Sequence, residues 1–159
     1  MRYLARYATS EHHLAQVLRR KALPEAAFHG LAPDQVEATI TAILEQMRGF
    51  GYLDDGRYAA MKASSLAGKG RSEAMIRATL ARQGVAREPA DAALSGLREE
   101  HANPELAAAR KLTRRRRLGP WRPDAERAAM RERDLAKLVR AGFSFAIARQ
   151  AIEEEPDAG

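Results

Sequence analysis

The feature that most constrains the fold of this 159-residue chain is that it repeats itself. Ser10, Leu14, Leu18, Arg20 and Leu23 match Ser72, Ile76, Leu80, Arg82 and Val85 at a displacement of 62. Leu80, Arg82, Gly84 and Val85 then match Leu138, Arg140, Gly142 and Phe143 at a displacement of 58, and Leu94 falls on Ile152. Past Leu23 the first copy needs a displacement of only 54 to bring Leu31 and Ile40 onto Val85 and Leu94, which marks an eight-residue insertion over roughly Pro24 to Leu31. Self-similarity of this kind is the signature of stacked units. The competing reading is chance likeness among alanine-rich amphipathic helices, but here capping residues and turn positions recur along with the leucines. Each copy reads as three short helices with a turn after the second. The units are set at 1–53, 54–102 and 103–155. A unit of that size buries little apolar surface alone, so neighbours must stack. The predicted fold is all-α: three tandem three-helix repeats in an elongated, curved array.

Local signals agree. Ser10 caps a helix with Leu14, Val17 and Leu18 on its apolar face, because a serine oxygen accepts an orphan backbone N–H. Pro33 opens a helix whose Val36, Ile40, Ile43, Leu44 and Met47 share one side, with Gly49 and Gly51 as its stop. Asp54 and Asp55 offer caps for the next, with Tyr58, Met61, Ser65 and Leu66 inward and Lys62 and Lys69 outward. Gly68 and Gly70 break it. Ser72 caps a helix through Met75, Ile76, Thr79 and Leu80, and Gly84 ends it. A short helix follows through Ala90, Ala93, Leu94 and Leu97. Asn103-Pro104-Glu105 combines a cap, a first-turn proline and a first-turn acid. That helix carries Leu106, Ala109 and Leu112 into the run Arg114 to Arg117, ended by Gly119-Pro120-Trp121. Asp124 opens another with Leu135, Leu138 and Val139 inward and Gly142 as its stop. Ser144 caps the last, through Ile147, Ala151 and Ile152. A frayed tail from Glu153 to Gly159 is expected. No segment alternates as a β-strand does.

Composition then excludes several chemistries. With no cysteine, disulfides, thiolate nucleophiles and cysteine zinc sites are out. His12, His13, His29 and His101 lack metal-ligand spacing, and adjacent His12 and His13 point to different helix faces. There is no nucleophile elbow and no phosphate loop; Gly68-Lys69-Gly70-Arg71-Ser72 follows no strand. No cofactor and no enzymatic activity are expected. Charges interrupt the N-terminal Met1 to Tyr7, unlike a signal peptide. No stretch is apolar enough to span a membrane. The expected location is the cytoplasm.

What remains is charge. A formal net charge of +6 and a pI near 10.0 point to a polyanionic partner, nucleic acid or an acidic protein groove. The cations cluster. Arg19, Arg20 and Lys21 end one helix; Lys62, Lys69 and Arg71 flank a glycine turn. Arg110, Lys111 and Arg114 to Arg117 form the densest group, followed by Arg127, Arg131, Arg133 and Arg140. Arg110, Arg114 and Arg117 lie three or four apart and form one helical stripe. The candidate binding residues are Lys62, Lys69, Arg71, Arg110, Lys111, Arg114, Arg117, Arg127 and Arg131. Such a stripe neutralises phosphates or pairs with acidic side chains; the alternative is a solvated helix face. Aromatics make up only 6%, too few for base-by-base stacking, so non-sequence-specific binding is expected.

The stretch Gly51-Tyr52-Leu53-Asp54-Asp55-Gly56-Arg57-Tyr58-Ala59 resembles the signature of the RecX family of bacterial regulatory proteins. Arg140-Ala141-Gly142-Phe143-Ser144-Phe145 resembles that family's closing repeat, and Met1 to Leu18 its opening one. The resemblance implies three tandem three-helix repeats and a modulator of RecA, the recombinase that polymerises on single-stranded DNA. It further implies binding in the groove of the RecA filament, inhibition of ATP hydrolysis and strand exchange, direct DNA binding, and a role in DNA repair, recombination and the SOS response. No catalytic residue is carried over, and a monomer is expected. The Pro24–Leu31 insertion and Lys21-Ala22-Leu23, where an Arg-Gly-Phe-like turn is usual, depart from the family pattern. A free-standing, non-sequence-specific nucleic-acid-binding protein and a helical scaffold with a solubilising charge are the other two function classes.

Overall fold

A computed structural model describes residues 9–154. Among them are eight α-helices and no strand. These are α1 (Glu11–Phe28), α2 (Pro33–Gly49), α3 (Asp55–Gly68), α4 (Glu73–Arg82), α5 (Arg87–Glu100), α6 (Pro104–Arg116), α7 (Asp124–Arg140) and α8 (Phe145–Glu153), with a 3₁₀ turn at Gly119–Trp121. Capping chemistry sets the boundaries. The side chains of Ser10, Asp54, Ser72, Asn103 and Ser144 each accept from the backbone N–H three residues on. Met1 to Ala8, the start of the opening repeat, and most of the Glu153–Gly159 tail lie outside the described residues.

Among the described residues the apolar side chains form three separate clusters. Leu14, Ala15, Val36, Ile40, Leu44 and Leu53 make the first. Tyr58, Ala59, Ala63, Ile76, Leu80, Val85 and Leu94 make the second. Leu106, Ala109, Leu112, Leu118, Leu135, Leu138, Phe143 and Ile152 make the third. Each cluster draws on one stretch of chain, as stacked units require. The chain is an all-α repeat array. α3 packs on α5, and α6 on α8, while α1 packs on α2. The first copy thus shows two helices among the described residues.

Neighbouring copies join through one recurring device. Ser10, which caps α1, also donates from Oγ to the carbonyl of Gln83, the last residue of the α4 turn. Ser72, which caps α4, donates to the carbonyl of Ala141 after α7 at 2.7 Å. Both serines are fully buried. An acid at the start of the next copy accepts the neighbouring free N–H: Asp55 from Glu11 at 3.0 Å, Glu105 from Glu73 at 2.8 Å. Burial pushes the Glu105 carboxyl above its usual range despite that bond. The residues that follow, Gly84 (φ +73) and Gly142 (φ +90), are left-handed and lie against the neighbouring copy. A Cβ on Gly84 would overlap His12, and one on Gly142 would sit 2.6 Å from Ser72 Oγ.

Four local expectations need correction. Arg19, Arg20 and Lys21 do not end a helix: α1 runs on through Pro24 to Phe28. Its 18 residues exceed the 10 of α4 by eight, the length of the insertion. On α3, Met61 and Ser65 face solvent, and Ala59 and Ala63 are the buried pair. The helix through Ala90 and Leu97 is not short: α5 has 14 residues. Val139 is exposed, because Leu135 and Leu138 already fill the side of α7 that meets the core.

Candidate functional site

The Arg114–Arg117 run ends in a tight reversal that fixes where its charges go. α6 stops at Arg116, and Arg117 takes the left-handed conformation (φ 50, ψ 54). The chain then turns through Gly119, whose N–H donates to Asp134 at 3.0 Å. Asp134, fully buried on α7, also accepts from Arg122 at 2.6 and 3.0 Å and from Lys137 at 3.1 Å. Burial alone would raise this carboxyl; the Arg122 guanidinium, the Gly119 N–H and Lys137 outweigh it and hold it at about 2. This buried network, which sequence reasoning did not find, anchors the turn that presents the arginines.

The nine predicted binding residues fall into two groups. In the first, the charge is already engaged within the protein. Arg110 pairs with Glu154, and Arg131 with Glu153 and Glu132. Arg127 donates to the carbonyls of Arg122 and Pro120 at 3.1 and 2.7 Å and pairs with Asp124 at 3.0 Å. Arg114 lies over the Trp121 ring, 5.3 Å from its centroid. The second group is Lys62, Lys69, Arg71, Lys111 and Arg117. Lys62 is half-buried on α3; the other four are exposed. Lys69 lends its carbonyl to Arg115 Nη1 at 2.8 Å, which ties the turn before α4 to α6. Gly70, buried in that turn at φ +73, lets the backbone approach α6, since a Cβ would lie 3.0 Å from the Ala108 carbonyl oxygen.

Beside this contact the second and third copies leave a cleft of about 300 Å³. It is lined by Gly70, Arg71, Met75, Leu112, Arg116, Lys137, Arg140 and Ala141. Of the nine predicted residues only Arg71 belongs to it. Arg116 and Arg140 were visible as members of basic clusters, and Lys137 carried no signal. A second hollow, about 440 Å³, runs from Ser64 and Gly68 to Pro104 and Lys111. No described helix is long and apolar enough to cross a membrane, and no group of potential metal ligands occurs among the described residues.

Comparison with known proteins places this architecture. Residues 54–94 match the family model described as RecX, second three-helix domain. The chain is 39% identical to the regulatory protein RecX of Myxococcus xanthus (strain DK1622), over 98% of this chain and 83% of that protein. It is 33% identical to the regulatory protein RecX of Agrobacterium fabrum (strain C58), over 90% of this chain and 73% of that protein. A crystal structure of regulatory protein RecX superposes with a TM-score of 0.68 at 22% identity, covering 96% of this chain and 67% of that one. At 39% and 33% identity over 98% and 90% of its length, with the family model in agreement, the chain belongs to the RecX family of regulatory proteins.

Proposed function

We propose that this protein binds the RecA nucleoprotein filament and modulates, mainly inhibits, its recombinase and ATPase activities in DNA repair. The observation that carries this reading is similarity, along nearly the whole of this chain, to regulatory proteins of one name. The surface supports it: cations from successive copies meet along the array, which suits a long, negatively charged partner. The protein acts by binding, as a cytoplasmic monomer organised as units 1–53, 54–102 and 103–155, and takes no cofactor. Lys62, Lys69, Arg71, Lys111 and Arg117 are the first contacts to test. Arg110, Arg114, Arg127 and Arg131 contribute after giving up an internal partner. The test is RecA ATPase activity on single-stranded DNA with and without this protein. A concentration-dependent fall is expected; an unchanged rate at saturating protein overturns the reading.

A second reading, a free-standing nucleic-acid-binding protein, is favoured by Arg71, Arg116 and Arg140, cations of the cleft that make no ion pair among the described residues. It predicts that DNA binding is the same with and without RecA.

A further inference from the structure

We infer that the cleft between the second and third copies is a phosphate-binding subsite that clamps two repeats onto a nucleic-acid strand. Arg71, Arg116, Lys137 and Arg140 line it, and none of its lining residues is acidic. Among the described residues, Arg71, Arg116 and Arg140 make no ion pair, and Lys137 shares Asp134 with Arg122. A space of about 300 Å³ ringed by four cations holds far more positive charge than one carboxylate would balance. Successive phosphates along a strand supply that charge density. Met75, Leu112 and Ala141 give the cleft apolar walls against which sugars can lie.

The repeat itself supplies a control. At the displacements of 62 and 58, Arg71 corresponds to Thr9 and Lys137 to Thr79 at the junction of the first two copies. Aligning the acids Asp55 and Glu105 puts Arg116 on Leu66. Only Arg140 keeps a cationic counterpart, Arg82. That junction forms with the same serine and glycine device and without the other three charges. The cations of the cleft are therefore not required to dock one copy on the next. They come from both sides of it, Arg71 from the second copy and Arg116, Lys137 and Arg140 from the third, so an anion held among them bridges the two.

This inference rests on the reading above only in taking the partner to contain nucleic acid. Its test compares wild type with R71Q/R140Q and with R87Q, which removes an exposed arginine paired to Asp91 outside the cleft. A labelled oligodeoxythymidylate is titrated across a salt series. The double variant should bind about tenfold more weakly, with a salt slope shallower by about 1.4, or about 0.7 for each lost phosphate contact. R87Q should match wild type. Tripolyphosphate should raise the melting midpoint of wild type and not that of R71Q/R140Q. Because double substitution can disturb the junction, R116Q alone serves as a second variant and should weaken binding in the same direction. Unchanged affinity and slope in both variants overturn the inference. So does loss of RecA inhibition with DNA binding intact, which would make the cleft a pocket for acidic side chains. Wild-type protein that binds the oligonucleotide through the cleft but leaves RecA ATPase unchanged would sustain the phosphate subsite and sink the RecA reading.

Discussion

Replacing Gly84 with alanine separates two costs that a turn glycine usually hides. The first is conformational: at φ +73 a Cβ crowds its own backbone, at about 1–2 kcal/mol. The second is specific to the array, since the added methyl would overlap His12 Cβ and Cγ on α1 of the preceding copy. Because His12 Cβ is fixed to the helix backbone, a rotamer change cannot clear it. Overpacking of this kind costs about 1–3 kcal/mol more. Gly51 is the internal reference: φ is +70 and nothing lies within 4 Å of its Cβ position. Urea denaturation of both variants should place Gly51→Ala about 1–2 kcal/mol below wild type and Gly84→Ala about 2–5. In a His12→Gly background the excess should vanish, leaving a coupling of about 1–3 kcal/mol between the two positions. Gly84→Ala no worse than Gly51→Ala, or no coupling to His12, would refute the claim that this turn is pressed against its neighbour.

Other outcomes can be checked alongside. Asp134, depressed to about 2 from an ordinary 3.8, stabilises the fold fully above about pH 4; that contribution, on the order of 2 kcal/mol, disappears as pH falls from about 4 towards 2. Asp134→Asn should destabilise the protein by on the order of 3 kcal/mol at neutral pH and flatten the acid limb of a pH–stability curve, because Arg122 then loses its partner. Ser72→Ala should cost about 1–2 kcal/mol, losing a cap and the bond to Ala141 together. Charge reversal at Arg117 should reduce oligonucleotide affinity more than reversal at Arg110, whose charge Glu154 already offsets; equal losses would show that the Arg110 pair opens on binding. Arg114→Ala should alter Trp121 fluorescence without a large change in stability, since the stacked pair is exposed.

Helix starts were legible because N-capping is local. Ser10, Asp54, Ser72, Asn103 and Ser144 sit where a three-residue look-ahead places them, and each makes that bond. The second role of the two serines was not legible. Their partners, Gln83 and Ala141, lie 73 and 69 residues away and take part through backbone carbonyls, which every residue possesses. On α3, Tyr58 and Leu66 lie on the inner face as expected, while Met61 and Ser65 do not, for a related reason. Hydropathy favours Met61, but close packing on α5 selects the small side chains of Ala59 and Ala63. Counting arginines along α6 found the charge but not its use. Whether a guanidinium is free depends on acids brought in from elsewhere, such as Glu154 beside Arg110, or on a ring such as Trp121 beneath Arg114. The cleft joins Arg71 to Arg140 across most of two copies, a proximity no local pattern encodes.

The three apolar clusters bear on how the protein is made. Their residues span Leu14 to Leu53, Tyr58 to Leu97 and Leu106 to Ile152, with no interleaving. Contacts of short sequence separation form quickly, and a growing chain can satisfy them without waiting for its far end. The first cluster has all its members once Leu53 clears the ribosome, and the second once Leu97 does. What must wait are the junctions: Ser10 has no acceptor until Gln83 emerges, nor Ser72 until Ala141. Translation therefore supplies the residues of each core before the seam that fixes its angle to the next copy.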